Sequence, residues 1–338
     1  MRKLVALLMM IPIAVTAGSQ AQTTKPGARA ASRPTSMPAS VPAGLTHIPR
    51  TRLALLCPEG YEVAAYWSGL YKEKAGVSVT TMEIPGAARK AAKQFSDPAL
   101  KTRGMHLRSR EDVRVSGYAG TLLYFHQTAN ESEIAKWILV FGDEENCVMV
   151  TGYCRRADEA ANKEELKKIL LSVHWDKNRQ VNPLEGLPFR VEVPAILKPS
   201  QWVNDSLILS RSGETPPASP TEPMVIITAR LGAIEFPDKK KLAVAKLLSL
   251  PGFSDFNVEN VVAITIAGMS GYEVTASAVH TRTKEKMALY EVILFGPGAY
   301  YIFNARVGAK ERQKVLPQFR EMALSLAPVE KGAAKTPR

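Results

Sequence analysis

Two stretches of the chain decide its fold, because they carry the same order of glycines and apolar runs. Residues 117–142 read GYAGTLLYFHQTANESEIAKWILVFG, and residues 268–296 read GMSGYEVTASAVHTRTKEKMALYEVILFG. In each stretch a G-x-x-G pair opens a strand, a polar segment follows, and an apolar run ends in Phe-Gly. A further strand and an amphipathic helix come next in both places. This ordered set predicts a duplicated unit.

The spacing from the Phe-Gly pair to the closing helix supports the duplication. The interval from Gly142 to Leu171 and the interval from Gly296 to Leu324 agree in length within one residue. Both intervals contain a predicted strand and then a predicted helix. An alignment on the two Phe-Gly pairs therefore follows from the sequence.

This alignment makes particular residues of the two units equivalent. His126 and His280 lie at the same distance before the Phe-Gly glycine of their unit, each at the predicted end of a strand. Glu291 takes the place of Trp137, which we expect in the core. The difference between tryptophan and glutamate predicts that the two units no longer do identical jobs.

The residue pattern predicts strands and two helices in each unit. Runs rich in β-branched and aromatic residues, separated by turn residues, are typical of antiparallel strands. Helices with one apolar face must cover such a sheet, so the predicted fold class is α+β, with two tandem α/β/α sandwiches. The predicted helices are residues 87–95, 158–173, 239–250 and 313–326, and the predicted strands include 52–56, 77–84, 113–115, 191–193, 207–209, 224–231 and 261–266.

Several short motifs of the first unit follow the order found in a known family. They are IPRTRLALLCPEG at 48–60, KWILVFGD at 136–143, VMVTG at 148–152 and LLSVHWD at 170–176. This pattern resembles the PsbP-like family, well over residues 45–177 and more loosely over 184–327. The resemblance implies an α/β/α sandwich and favours partner binding or assembly assistance over catalysis. It brings no catalytic motif to this chain.

The ends of the chain have compositions unlike that of the two units. Residues 1–21 combine a basic start, a short apolar run and small residues, which predicts a signal peptide and an exported protein. Residues 22–49 are rich in Pro, Ala and Ser, and predict a disordered linker. The first domain is predicted at 50–177, the second at 184–328, and a flexible tail at 329–338. No transmembrane segment is predicted after the signal peptide.

The positive charge of the chain lies mostly outside the predicted domains. The net charge is +12, but residues 51–177 carry only +1 and residues 178–330 carry +2. Nucleic-acid binding by the folded domains is therefore not favoured. Weak contact with an anionic surface is expected to run through the linker.

The aromatic residues after the first predicted turn have two interpretations. Tyr61, Trp67 and Tyr71 either pack in the core or form a patch that faces a protein partner, because Trp and Tyr are enriched in binding hot spots. His126 and His280 are candidates for the same partner surface. Neither histidine has a carboxylate or a second histidine at a suitable local spacing, so no metal site and no cofactor is predicted.

The three cysteines leave the redox state open. Cys147 and Cys154 would lie roughly 23 Å apart along one strand, which is too far for a disulfide. Cys57 and Cys154 both end predicted strands and form the candidate disulfide. The alternative is three reduced thiols.

The functional prediction rests on the export signal, the duplication, the family resemblance and the missing catalytic motifs. Zinc-protease, nucleophile-elbow, P-loop and C-x-x-C patterns do not occur in the sequence. We therefore expect a non-catalytic protein that binds a protein partner or assists assembly in the cell envelope, either in the periplasm or outside the cell. The alternative is a secreted hydrolase whose unrecognised site lies between the domains.

Overall fold

A computed structural model of the chain describes residues 41–329, except residues 96–99, 101–103, 130–131 and 233–236. The strands of the first half are β1 (Thr46–His47), β2 (Leu53–Leu55), β3 (Glu62–Val63), β4 (Gly69–Lys72), β5 (Val77–Pro85), β6 (Met105–Val115), β7 (Tyr118–Ala129), β8 (Ser132–Gly142), β9 (Asn146–Arg155) and β10 (His174–Trp175). Those of the second half are β11 (Phe189–Arg190), β12 (Lys198–Val203), β13 (Ser206–Ser210), β14 (Met224–Leu231), β15 (Phe253–Ile266), β16 (Met269–His280), β17 (Lys286–Gly296), β18 (Ala299–Gly308) and β19 (Ala327–Pro328). The described helices are α1 (Ala88–Lys93), α2 (Glu159–Leu171), α3 (Lys239–Leu248) and α4 (Arg312–Leu324).

Each half contains one seven-stranded sheet, and the two sheets share one strand order. The first sheet runs β3-β4-β5-β9-β8-β7-β6, and the second runs β12-β13-β14-β18-β17-β16-β15. All neighbouring strands in both sheets are antiparallel. The predicted α+β class with mainly antiparallel sheets is therefore confirmed.

Helices cover both faces of each sheet, which gives the predicted α/β/α layers. In the first half, Leu166 of α2 packs in one cluster with Trp137, and α1 contributes to the cluster on the opposite face with Ile138. In the second half, Phe319 of α4 and Leu247 of α3 belong to separate clusters on the two faces. Successive side chains of β8 and β17 point to opposite faces of the sheet and therefore belong alternately to the two clusters. This alternation is expected of a strand that is buried on both faces.

The sequence prediction located most elements and missed some limits. Strand 224–231 is β14 as predicted, whereas β6 and β15 extend several residues further towards the N-terminus than expected. The predicted strand at 191–193 is wrong, because the pairing strand there is β11. β12 was not predicted.

The linker prediction of 22–49 extends too far. Thr46 and His47 form β1, which pairs with β2, and Ile48 is fully buried. These residues therefore belong to the fold. The signal peptide, residues 22–40 of the linker and all of the predicted tail except Val329 lie outside the described residues, and the predicted domain limits stay predictions.

The two G-x-x-G motifs close equivalent hairpins. Ser116 and Gly117 connect β6 to β7, with φ values of 50° and 82°. Ala267 and Gly268 connect β15 to β16 with φ values of 47° and 76°. Two successive residues with positive φ are the geometry of a type I′ turn, which matches the twist of paired strands. The first glycine of the motif is thus explained by the turn.

The predicted alignment of the two halves is wrong by one residue in β17. Trp137 pairs with Gly152, and Tyr290 pairs with Ala305. Gly152 and Ala305 lie at the same distance before the first residue of the closing helix, α2 or α4. Tyr290 is therefore the equivalent of Trp137, and both face the closing helix.

Glu291 consequently takes the place of Ile138, on the face that α3 covers. Its side chain is 0% exposed, and neither carboxylate oxygen has a hydrogen-bond partner among the described residues. Burial raises the pKa of Glu291 to about 8, although the nearby Lys246 charge acts to lower it. A neutral carboxyl group is therefore favoured at this position at pH 7.

Arg50 connects the two halves of the chain. Its guanidinium donates hydrogen bonds to the backbone oxygens of Glu185 and of Trp67, and it lies 4.6 Å from the centre of the Trp202 ring. The Tyr66 and Tyr301 hydroxyl groups, 3.4 Å apart, add a second contact between the halves. Burial lowers the pKa of Arg50 to about 10, which still leaves it charged at neutral pH.

Removal of this guanidinium is expected to destabilise the protein. Arg50→Ala removes the donor from one buried and three partly buried carbonyl oxygens, so we expect a loss of about 3 kcal/mol in the free energy of unfolding. Thermal and urea unfolding measure it, with exposed Arg190→Ala as the matched control. Equal stabilities of the two variants would contradict the role given to Arg50.

Candidate functional site

A β-bulge in β6 sets the position of Arg108. The register with β7 shifts between Leu107 and Ser109, so Arg108 is an extra residue in β6. Bulges redirect the side chain of the extra residue and are frequent beside functional sites. Here the Arg108 Nε atom donates a hydrogen bond to His126 Nδ1 over 2.8 Å.

His126 lies at the centre of a cluster of polar side chains. Its Nδ1 atom is contacted by Arg108 and, more closely, by a guanidinium nitrogen of Arg156. Its Nε2 atom lies 2.5 Å from Tyr124 Oη and 3.2 Å from a carboxylate oxygen of Glu159. We call these five residues the His126 cluster. Three segments distant in sequence therefore meet at this point.

Local structure explains how these groups meet. Arg156 lies in the 3-10 turn Arg156–Asp158, directly before α2, and Glu159 is the first residue of that helix. Tyr124 stacks on the ring of Trp137 with 4.7 Å between ring centres, which fixes its hydroxyl group. A carboxylate in the first turn is also favoured by the helix dipole. The cluster is thus held by a bulge, a stacked ring and a helix start.

The surroundings of His126 favour its neutral form. Partial burial lowers the pKa of His126, and the charges of Arg156 and Arg108 lower it further against the effect of Glu159. Partial burial acts to raise the pKa of Glu159, but the Tyr124 hydrogen bond and the His126 and Arg156 interactions outweigh it and leave that pKa lowered. At pH 7 the cluster therefore combines two guanidinium charges with one carboxylate charge.

The second half carries a different set of residues at the same place. The β15 register shifts between Val258 and Asn260, so Glu259 is the extra residue that corresponds to Arg108. Arg312, the first residue of α4, corresponds to Glu159. Arg312 donates to Glu259 over 2.6 Å, and its second guanidinium nitrogen contacts the other carboxylate oxygen. The second half thus has a closed ion pair in place of the cluster.

His126 and His280 do not share a position in the fold. His126 pairs with Ala135, and the residue that pairs with the corresponding Ala288 is Ser277. His280 ends β16, where its Nδ1 atom lies 2.9 Å from Thr283 Oγ1. The predicted equivalence is therefore wrong, and only His126 is part of a polar cluster.

The aromatic candidates are mostly core residues. Tyr61 and Trp67 are 7% and 4% exposed, so a partner could reach little of either ring, and core packing replaces the partner-facing interpretation. Tyr71 is half-buried; its hydroxyl group donates to Glu62 over 2.6 Å. Trp67 contacts the Tyr71 ring edge-on, which holds it in place.

The predicted disulfide is not formed in the structure. Cys57, Cys147 and Cys154 are all free thiols. Cys154 is buried in the cluster under α2, and Cys57 packs against the same cluster. Burial raises the pKa of all three thiols, so none is an activated nucleophile. A Cys57–Cys154 bond stays a prediction for the oxidised protein.

The described residues offer few other sites. Within them, no group of three or more His, Cys, Asp or Glu side chains could hold a metal ion. A cavity of about 250 Å³ opens in the second half beside the start of α3, lined by Lys239, Thr265, Ser270, Tyr272 and Phe295 among others. It does not lie between the halves, where the alternative hydrolase site was predicted. In the part of the chain that the structure covers, no helix has the length and apolar character of a membrane span.

Sequence reasoning missed Arg108, Arg156 and Glu159. Glu159 is far from His126 along the chain, so a search for ligands at local spacing could not find it. The only available signal was the predicted helix start near residue 158, which placed acidic residues close to the end of a strand.

Comparisons with known proteins give similarities of fold. No protein-family model matches the chain, and no curated protein matches it by sequence. Among solved structures, LpqN of Mycobacterium tuberculosis, described as involved in cell envelope biogenesis, is 19% identical over 41% of this chain and 83% of its own, with a TM-score of 0.31. The cyanobacterial PsbP protein of Synechocystis is 11% identical over 42% of this chain and 98% of its own, with a TM-score of 0.31.

A third similarity spans both halves. The T6SS immunity protein TplEi of Pseudomonas aeruginosa is 10% identical over 85% of this chain and 97% of its own, with a TM-score of 0.35.

Proposed function

We propose that this chain is an exported protein with two PsbP-like domains that binds a protein partner in the cell envelope and catalyses no reaction. The observation that carries the proposal is the contrast between the halves. The second half neutralises its bulge residue with a closed ion pair, whereas the first half leaves an arginine without a carboxylate partner among the described residues. An unneutralised charge at one of two equivalent places in the fold supports a contact surface there, because charged groups across an interface are arranged to be complementary.

The groups around His126 also support a non-catalytic role. Both ring nitrogens contact arginine, tyrosine or glutamate side chains, and no serine, threonine or cysteine oxygen or sulfur is among their partners in the described residues. The histidine base of a hydrolase that uses a serine, threonine or cysteine nucleophile needs that nucleophile within hydrogen-bond reach. A hydrolase of that kind would need a different histidine or a different base.

Affinity capture tests the proposal. The mature chain, from residue 22, is immobilised and exposed to envelope extract of its own source, and captured proteins are quantified by mass spectrometry. We expect one protein to be retained in a fixed ratio to the bait and to bind again after purification. Failure to retain any protein, at low and moderate salt, would overturn the proposed function.

A further inference from the structure

Arg108 and Arg156 bring more hydrogen-bond donors to His126 than the ring can accept. A neutral imidazole has one lone pair, at Nδ1 here, because Nε2 faces the Glu159 carboxylate and carries the proton. Two guanidinium groups contact that single acceptor. Arg156 also pairs with Glu159 over 3.1 Å, but Arg108 has no carboxylate partner within the described part of the chain. Among the described residues, the remaining donors of Arg108 thus have no partner.

The unused donors are accessible from solvent. The Arg156 side chain is 40% exposed, and Arg108 is exposed in the edge strand β6. His126, with 13% of its side chain exposed, forms the floor between them. The first turn of α2 is adjacent, and its dipole adds a favourable field for an anion.

The second half provides an internal comparison at the same place. There Glu259 and Arg312 neutralise each other through two parallel contacts, so no charge is left over. In the first half, the net charge of the His126 cluster at neutral pH is one positive charge. The excess is specific to the first half and does not follow from the fold itself.

We propose that Arg108 and Arg156, over the His126 ring, bind a carboxylate group on the protein partner. This inference rests on the proposed function and names the partner chemistry at the site. A carboxylate is planar and accepts parallel hydrogen bonds from guanidinium donors. The ammonium group of a lysine acts as a point charge and supplies such parallel bonds less well. The bound carboxylate gives these arginines what Glu259 gives Arg312 in the second half, a negative charge within hydrogen-bond reach.

Charge distribution favours a protein carboxylate over an anionic membrane. Attraction to a lipid surface usually needs a cluster of about 4–8 basic residues. Residues 51–177 carry a net charge of only +1, and Glu159 lies inside the cluster. A single localised excess charge matches one acidic side chain or chain terminus of a partner.

The imidazole of His126 reports on occupancy of the site. A carboxylate between the two arginines offsets the charges that lower the pKa of His126, so binding raises that pKa, by about 0.5 unit or more. Histidine ring NMR of the full mature chain measures this shift with N-acetylated, C-amidated triglutamate peptide as the probe, and with equally capped triglutamine peptide, inorganic phosphate and vesicles containing phosphatidylglycerol as comparisons. We expect a saturable response to triglutamate, and none to triglutamine or to vesicles.

Two variants separate the site from unspecific effects. Arg108→Gln should abolish the triglutamate response, whereas Arg312→Gln, at the closed pair, should leave it intact. The proposed site is overturned if the wild-type protein responds to neither triglutamate nor phosphate. It is also overturned if the protein responds to vesicles or phosphate alone, because the ligand is then a phosphate group and not a carboxylate. If capture retains a partner while the NMR test fails, the proposed function survives without this site; if the NMR test succeeds and capture fails, the proposed function is the part that is wrong.

Discussion

Glu291→Gln is expected to stabilise the protein at pH 7 and to flatten the dependence of its stability on pH. The buried carboxyl group has a pKa of about 8 in the folded protein, against an ordinary value of 4.5. The unfolded chain ionises first, so the contribution of Glu291 to stability is most favourable below pH 4.5 and falls as pH rises towards 8. At pH 7 the titration of this carboxyl group is expected to lower the free energy of unfolding by about 3 kcal/mol relative to low pH, at about 1.4 kcal/mol per pH unit.

The prediction for Glu291 is checked by urea unfolding between pH 5 and pH 9. The glutamine variant should gain stability over the wild type as the pH rises, while exposed Glu285→Gln should follow the wild type. Glu291→Ile should behave like the glutamine variant, because the first half carries Ile138 at this position. Parallel curves for the wild type and Glu291→Gln would show that the carboxyl group is not buried and neutral.

Gly271→Ala is expected to cause the largest loss of stability among single-methyl additions in the second half. A Cβ atom at Gly271 would lie 1.9 Å from the carbonyl oxygen of Ile293, in β17, an interior strand of the sheet. This clash is relieved only if β16 and β17 separate, so we expect a loss of about 3 kcal/mol or more in the free energy of unfolding.

Gly268→Ala is the matched control within the same G-x-x-G motif. No heavy atom lies within 4 Å of its Cβ position, and its cost comes only from a φ of 76°. That conformation costs an L-residue about 1–2 kcal/mol. The melting temperature and the soluble yield of both variants measure the difference, and equal losses would contradict the close approach at Gly271.

The repeated order of strands and helices was predictable because it depends on local signals, whereas the register was not. Glycines of a type I′ turn and apolar strands stand in the same order in both halves, so element type and order follow from the residues. The Phe-Gly pairs suggested an alignment in which Glu291 matches Trp137, but strand pairing makes Tyr290 the match. The two intervals from the Phe-Gly pair to the closing helix differ in length by one residue, which is also the size of the error in the alignment. One residue decides which face a strand side chain occupies.

The candidate site was only partly predictable. His126 was selected from the sequence, but for an equivalence with His280 that the fold does not support. Arg108 reaches His126 through a bulge, and Glu159 reaches it through the packing of α2 on the sheet. Neither contact has a local sequence signature, since both depend on pairings between strands and a helix far apart in the chain. Trp67 and Tyr61 were candidates by residue type, which does not reveal burial.

The central claim, that the His126 cluster contacts a protein partner, is tested most directly by site-specific photo-crosslinking in the envelope of living cells. A benzoylphenylalanine replaces exposed His106, which pairs with His126, or exposed Asn257, which pairs with Ser277 at the same place in the second half. We predict a discrete crosslinked product of higher mass from position 106 and none from position 257, with loss of the product when Arg108 and Arg156 are both changed to glutamine. No product from position 106, or an equal product from both positions, would contradict the account.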